Sequence, residues 1–366
     1  MGGALETRVR DLLATADIQI NGPRGWDVTV HQPGFYARVL RQGSLGLGES
    51  YMDGWWDCGQ LDEFFARAFA AGLDRRAARA WPARLLAVLS WLGNRQTPAK
   101  STQVAVRHYD VGNDLFQAML GRHMVYTTGR WDGARDLDHA QEAKLDFVCR
   151  KLELEPGMRV LDIGCGWGSF AKFAAERYGV RVDGITLSAQ QLALGQSLCR
   201  GLPVQLRLED YRDIEADPRP YDRVVSLGMF EHVGHKNYRK FFAAARRALA
   251  SGGRLFLATI GSNHTVYSTD PWIERYIFPN SHLPSIQQIG SGMEDRFIPL
   301  EWHNWAGDYD RTLMAWYANF ASEWERWSRQ YSEPFCRMWR FYLLSCAAAF
   351  RVNQLQVWQM LLSPVN

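Results

Sequence analysis

The sequence predicts an α/β fold: a Rossmann-like parallel sheet with helices on both faces, preceded by a small, mainly helical N-terminal domain. Three observations carry this. From about residue 102 onward, short apolar runs alternate with helical periodicities, the pattern of successive βαβ units. The run Val160–Ile163 breaks into Gly164-Cys165-Gly166-Trp167-Gly168 and opens onto a helical stretch, Ser169–Tyr178. Before residue 100 the chain reads as helical or loop-rich instead. The expected division is 1–95 for the N-terminal domain and 102–366 for the larger one.

Taken in order, residues 1–13 are charged and lack an apolar stretch, so no secretory signal is expected. Residues 21–59, with many glycines and tryptophans, read as loops, and residues 61–71 as a helix. Residues 74–91 set Arg75, Arg76, Arg79 and Arg84 beside Trp81, Leu85, Leu86, Val88, Leu89 and Trp91. Such a helix lies in a lipid interface or docks on protein with its arginines in water, and both readings stand. Residues 93–101, with Pro98, read as a linker.

A helix over 137–152 follows, with Ala140, Lys144, Leu145, Val148, Cys149 and Leu152 along one stripe. Strands are expected at 159–163, 180–186, 204–208, 221–226 and 253–259, and helices at 169–178, 189–198 and 237–249. Ligands bind beyond the carboxyl ends of such strands, where Asp162, Thr186, Asp210 and Gly228 fall. Residues 313–331 and 335–362 read as helices. Their aromatics serve either as core or as the lining of an apolar tunnel for a long-chain ligand.

Composition narrows the function. The chain has 366 residues, 47% of them hydrophobic, which suits a sizeable core. A net charge of +3 gives no argument for nucleic acid. The six cysteines contain no C-x-x-C pair and read as reduced, buried thiols. No apolar run reaches membrane-spanning length, so any membrane contact is expected to be peripheral. His232 and His235 beside Glu231 do not make a closed metal set, so no metal is expected.

The glycine spacing is neither the triphosphate loop, which needs a following Lys-Ser or Lys-Thr, nor the dinucleotide fingerprint, whose third glycine comes one residue later. Asp162-x-Gly164-x-Gly166-x-Gly168 resembles the first motif of the class I S-adenosylmethionine (SAM) methyltransferases. Further segments extend the likeness. They are Gly43–Trp56 (GSLGLGESYMDGWW), His108–Asp114 (HYDVGND), Gly228–Gly234 (GMFEHVG), Tyr276–Asn280 (YIFPN) and Leu313–Tyr317 (LMAWY). In this order and over nearly the whole chain, they resemble the cyclopropane-fatty-acyl-phospholipid synthases, in the bacterial form that carries an extra N-terminal domain.

The resemblance implies a set of roles. SAM would lie against Asp162, Gly164, Gly166 and Gly228, with Tyr109 beside it, Thr186 and Gln191 near the ribose, and Asp210 and Tyr211 around the adenine. The acceptor would be an unsaturated phospholipid, met by a cytoplasmic homodimer peripheral on the inner membrane face. Ring closure would use bound bicarbonate, held by Glu231, Tyr309, Ile260, Thr128 and a histidine. Two positions depart from the pattern: Thr128 stands where the family has cysteine, and Ala258 where it has that histidine. The expected activity is therefore cyclopropane formation on the acyl chain. The alternatives are a methyl- or methylene-branched product, or a catalytically silent lipid-binding protein.

Overall fold

The computed structural model describes residues 2–74, 112–215 and 219–365. Tyr109, the segment 93–101, and all of the helix expected over 74–91 except Asp74 lie outside the described residues. The chain divides into two compact units, and they do not follow the linear split at residues 95–102. One gathers the described part of Met1–Gly93 with Ser268–Pro279 and Asp310–Leu355. The other gathers the described parts of Asn94–Tyr267, Asn280–Tyr309 and Gln356–Asn366.

The first unit is mainly helical. It contains α1 (Gly2–Ala14), α2 (Gly34–Gln42), α3 (Ser44–Met52) and α4 (Leu61–Ala70), with a two-stranded antiparallel pair, β1 (Thr29–Val30) and β2 (Trp56–Asp57). Two of these helices lie where loops were expected. Glycine weakens a helix on propensity alone, and here close packing decides. A Cβ on Gly46 would come within 2.4 Å of the Arg38 carbonyl oxygen, and one on Gly48 within 2.3 Å of the Trp272 ring. The core around them is aromatic. Trp272 and Phe341 have ring centroids 4.4 Å apart, and the Trp56 indole donates to the Leu47 carbonyl. Trp327, Trp339 and Phe341 of the C-terminal stripes are buried in this unit.

The second unit carries α5 (Asn113–Leu120) and α6 (Leu137–Lys151), then β3 (Arg159–Ile163), α7 (Ser169–Tyr178), β4 (Arg181–Thr186), α8 (Ala189–Leu198), β5 (Val204–Leu208), β6 (Tyr221–Leu227), α9 (Tyr238–Ala248) and β7 (Leu249–Ser262). These five strands match the expected ones closely and pair in parallel. The seven-stranded sheet runs β5-β4-β3-β6-β7-β9-β8, with β8 (Phe297–Asn304) antiparallel to β9 (Leu355–Pro364).

The last two strands correct the sequence reading. Residues 335–362 are not one helix; they form the helix Glu333–Arg351 followed by β9. β9 lies between two other strands and is buried along nearly its whole length. A strand covered on both faces loses the apolar–polar alternation that marks a strand in sequence. β8 carries Pro299, where the register shifts, which an edge strand tolerates because no ladder donor is needed on its open side.

Candidate active site

The parallel strands leave a cavity at their carboxyl ends, and its wall is built by the turns that follow them. Asp162 closes β3 and is buried; burial pushes its carboxyl up to about 7, against the pull of Lys144. Gly164, Gly166 and Gly168 follow with φ of +87°, +56° and +76°, a left-handed backbone that disfavours side chains. The turn is pinned because the Gly164 and Cys165 amides both donate to the Ile185 carbonyl, at 2.9 and 3.0 Å. A Cβ on Gly164 would meet Met229 at 2.6 Å, so this glycine is needed by the protein itself. At Gly166 the nearest atom is Gln191 Nε2, at 3.8 Å, and both residues line the cavity.

Thr186 and Gln191 also line it. Ser188 caps α8 by accepting from the Gln191 amide, and the Ser188 amide donates to the Thr186 hydroxyl, so local capping positions both side chains. Tyr211 presents a buried ring whose hydroxyl has no hydrogen-bond partner among the described residues; burial pushes that hydroxyl up to about 12. Asp210 does not line the cavity, and its carboxylate is committed to the Arg212 guanidinium at 2.5 Å. Gly228, with φ +72°, ends β6 and lines the cavity beside Met229 and His232.

Glu231 sits on the 3-10 turn Phe230–His232 and is buried. Its Oε1 accepts the Ile260 N–H at 2.5 Å, while Oε2 is buried without a hydrogen-bond partner among the described residues. Burial pushes this carboxyl up to about 7, and the Ile260 N–H works against the rise. The turn is braced from behind, where the His282 amide donates to the Glu231 carbonyl at 2.8 Å. The His282 ring lies 2.7 Å from the Val266 carbonyl and 2.8 Å from the Tyr238 hydroxyl. A carbonyl only accepts, so Nε2 carries the proton and Nδ1 accepts from the tyrosine. The imidazole is thus held neutral, and burial pushes it down to about 4.

Sequence reading missed many residues of this wall, among them Thr127, Lys144 and His232. The signal for Lys144 was present, as a lysine inside an otherwise apolar helical stripe. Thr128, Glu231, Ile260 and Tyr309 do not themselves line the cavity, although Met229 and His232, on either side of Glu231 in sequence, do.

With this geometry in place, the comparisons with known proteins become informative. The mycolic acid cyclopropane synthetase family matches residues 96–360. The chain belongs to the cyclopropane synthase family. It is 48% identical over 353 residues to the cyclopropane-fatty-acyl-phospholipid synthase of Escherichia coli, covering 96% of this chain and 92% of that protein. Among solved structures, a cyclopropane synthase from Mycobacterium tuberculosis superposes with a TM-score of 0.66 at 31% identity, over 74% of this chain and 99% of that one. A mycolic acid cyclopropane synthase in complex with SAH and CTAB gives 0.66 at 30% identity, over 71% and 97%. This chain is accordingly a SAM-dependent methyltransferase of the class I fold.

The residues present fit SAM: left-handed glycines bring bare backbone to the wall at Gly166, and a carboxylate and an aromatic face flank it. They offer bicarbonate fewer partners than the resemblance implies. Ala258 has no polar side-chain atom and packs in an apolar cluster with Val225, Phe256 and Leu361. The Thr128 hydroxyl donates to the Gly129 carbonyl, and the Ile260 N–H is taken by Glu231 itself.

Proposed function

We propose that this chain transfers the methyl carbon of SAM to the double bond of an unsaturated acyl chain on a phospholipid and closes a cyclopropane ring. One observation carries the reading: a buried carboxylate, Glu231, anchored through one oxygen and without a hydrogen-bond partner among the described residues at the other, in sequence between the cavity residues Met229 and His232. Family membership and the E. coli relative supply the acceptor class.

When bound, SAM supplies a methyl carbon made electrophilic by its sulfonium charge. The protein holds it with Gly166, Thr186, Gln191 and Tyr211, whose buried ring offers a flat apolar face to the adenine. An alkene attacks with its own π electrons, so no residue is needed to activate it. A proton must then leave the transferred carbon so that its bonding pair can close the ring. Glu231 Oε2 is assigned as its acceptor. Burial keeps this carboxyl basic, and a positive charge beside it favours the ionised form that accepts the proton. The step needs no bicarbonate, in keeping with Ala258.

Among the described residues no helix is long and apolar enough to cross a membrane. A phospholipid acceptor calls for contact with a membrane surface, which we assign to the basic segment 74–91 of a homodimer at the inner membrane face. Sedimentation with and without anionic vesicles reads both the assembly and the contact.

The activity is tested by S-adenosylhomocysteine (SAH) release. Vesicles of unsaturated phospholipid should trigger it, saturated ones should not, and removing dissolved carbon dioxide and bicarbonate should leave the rate unchanged. Release with both lipids, or with neither, contradicts the proposed acceptor. Saturable activation by bicarbonate contradicts direct transfer to Glu231.

A further inference from the structure

Lys144 has no part in the chemistry proposed above, yet it lines the same cavity and is only 2% exposed. Its ammonium is fixed in place. Nζ donates to the Thr127 hydroxyl at 2.9 Å, and Gln141, one turn earlier on α6, donates to the Thr127 carbonyl at 2.9 Å. The Thr127 methyl in turn fills the space left by the missing Cβ of Gly228, to which it would approach within 2.5 Å. The ammonium is therefore held beside the end of β6.

An ammonium has three donors, and the threonine takes one. Among the described residues no carboxylate lies within ion-pair distance of Lys144; Asp162, on the same wall, acts on it only at longer range. The wall's other guanidinium or ammonium group, on Arg212, is already bound to Asp210. Burial pushes the Lys144 ammonium down to about 7 and the Asp162 carboxyl up to about 7, so the charged form of each is costly until something pairs with it. An α-amino acid head carries an ammonium and a carboxylate on a single carbon and matches the two.

We propose that Lys144 binds the α-carboxylate of the cofactor's amino-acid head, while Asp162 takes its α-ammonium. This rests on the cavity being the SAM site. It makes Lys144 a binding and positioning residue, one that fixes the direction in which the sulfonium methyl points.

The test is calorimetry on the full chain with two probes. SAH has the amino-acid head, and 5′-methylthioadenosine has the same nucleoside and sulfur without it. Lys144→Met should weaken SAH binding by about tenfold to a hundredfold, the loss of one charge-assisted hydrogen bond, and leave 5′-methylthioadenosine binding unchanged. Thr127→Val, which unpins the ammonium but keeps its charge, should weaken SAH by a smaller factor, again without affecting the headless probe. Undiminished SAH binding in Lys144→Met, or equal losses with both probes, overturns the assignment. If Lys144→Met does not fold, Thr127→Val decides by the same comparison. A wild-type protein that binds neither probe overturns the SAM site itself, whereas wild-type binding with no selective loss overturns only the role of Lys144.

Discussion

Glu231→Gln should abolish ring formation and at the same time make the protein more stable at pH 8. Glutamine keeps an oxygen for the Ile260 N–H but cannot accept the proton at Oε2. Losing a positioned base costs about 10²–10⁴ in rate. The stability change follows from linkage. Burial raises this carboxyl from its ordinary 4.5 to about 7, so the folded state resists its ionisation. A raised value means that the folded state is favoured while the group stays protonated, and that this advantage is lost as the pH climbs from about 4.5 through about 7. Above that window the ionised wild-type carboxylate costs roughly 3 kcal/mol, so the variant should gain about 1–3 kcal/mol, part being offset by the buried amide. Denaturant unfolding at pH 8 and at pH 5 should show the gain at the first pH and little at the second. A variant that is inactive but less stable at pH 8 would mean that the carboxylate is a structural strut.

Gly164→Ala and Gly166→Ala should separate fold from ligand, although the two glycines look equivalent in sequence. At Gly164 a methyl would lie 2.6 Å from Met229 on a left-handed backbone, so this substitution should destabilise the protein. Overpacking of this kind costs about 1–3 kcal/mol, and the backbone adds about 1–2 kcal/mol. At Gly166 only the backbone term applies, because the nearest atom is 3.8 Å away. The methyl there would stand in the cavity beside Gln191, so Gly166→Ala should stay folded but lose SAH affinity by at least about tenfold. Thermal unfolding and calorimetry on the pair read the two effects. Gly166→Ala with unchanged affinity would remove the cofactor from this part of the wall.

The sheet's first five strands were legible because glycine turns and helical periodicities bracket each one. β9 was not, because a buried central strand and a buried helix both present an unbroken apolar run. The helix α3 was hidden for the opposite reason: Gly46 and Gly48 look like breakers until Arg38 and Trp272 are seen against them. At the site, motif residues such as Asp162, Gly166, Thr186 and Tyr211 line the cavity. Asp210 does not, and Arg212, two residues away, holds its carboxylate. The support of Glu231 by His282 joins residues far apart in sequence, and only the folded turn brings them together.

The most direct test of the account uses SAM whose methyl group carries three deuterium atoms. Ring closure by loss of one hydron from the transferred carbon predicts a product lipid with a cyclopropane bearing a CD2 group, read by mass spectrometry and by the high-field ring protons in NMR. Glu231→Gln should yield none of it. A wild-type product that retains a CD3 branch, with no ring, would contradict both the assigned reaction and the role of Glu231 as its proton acceptor.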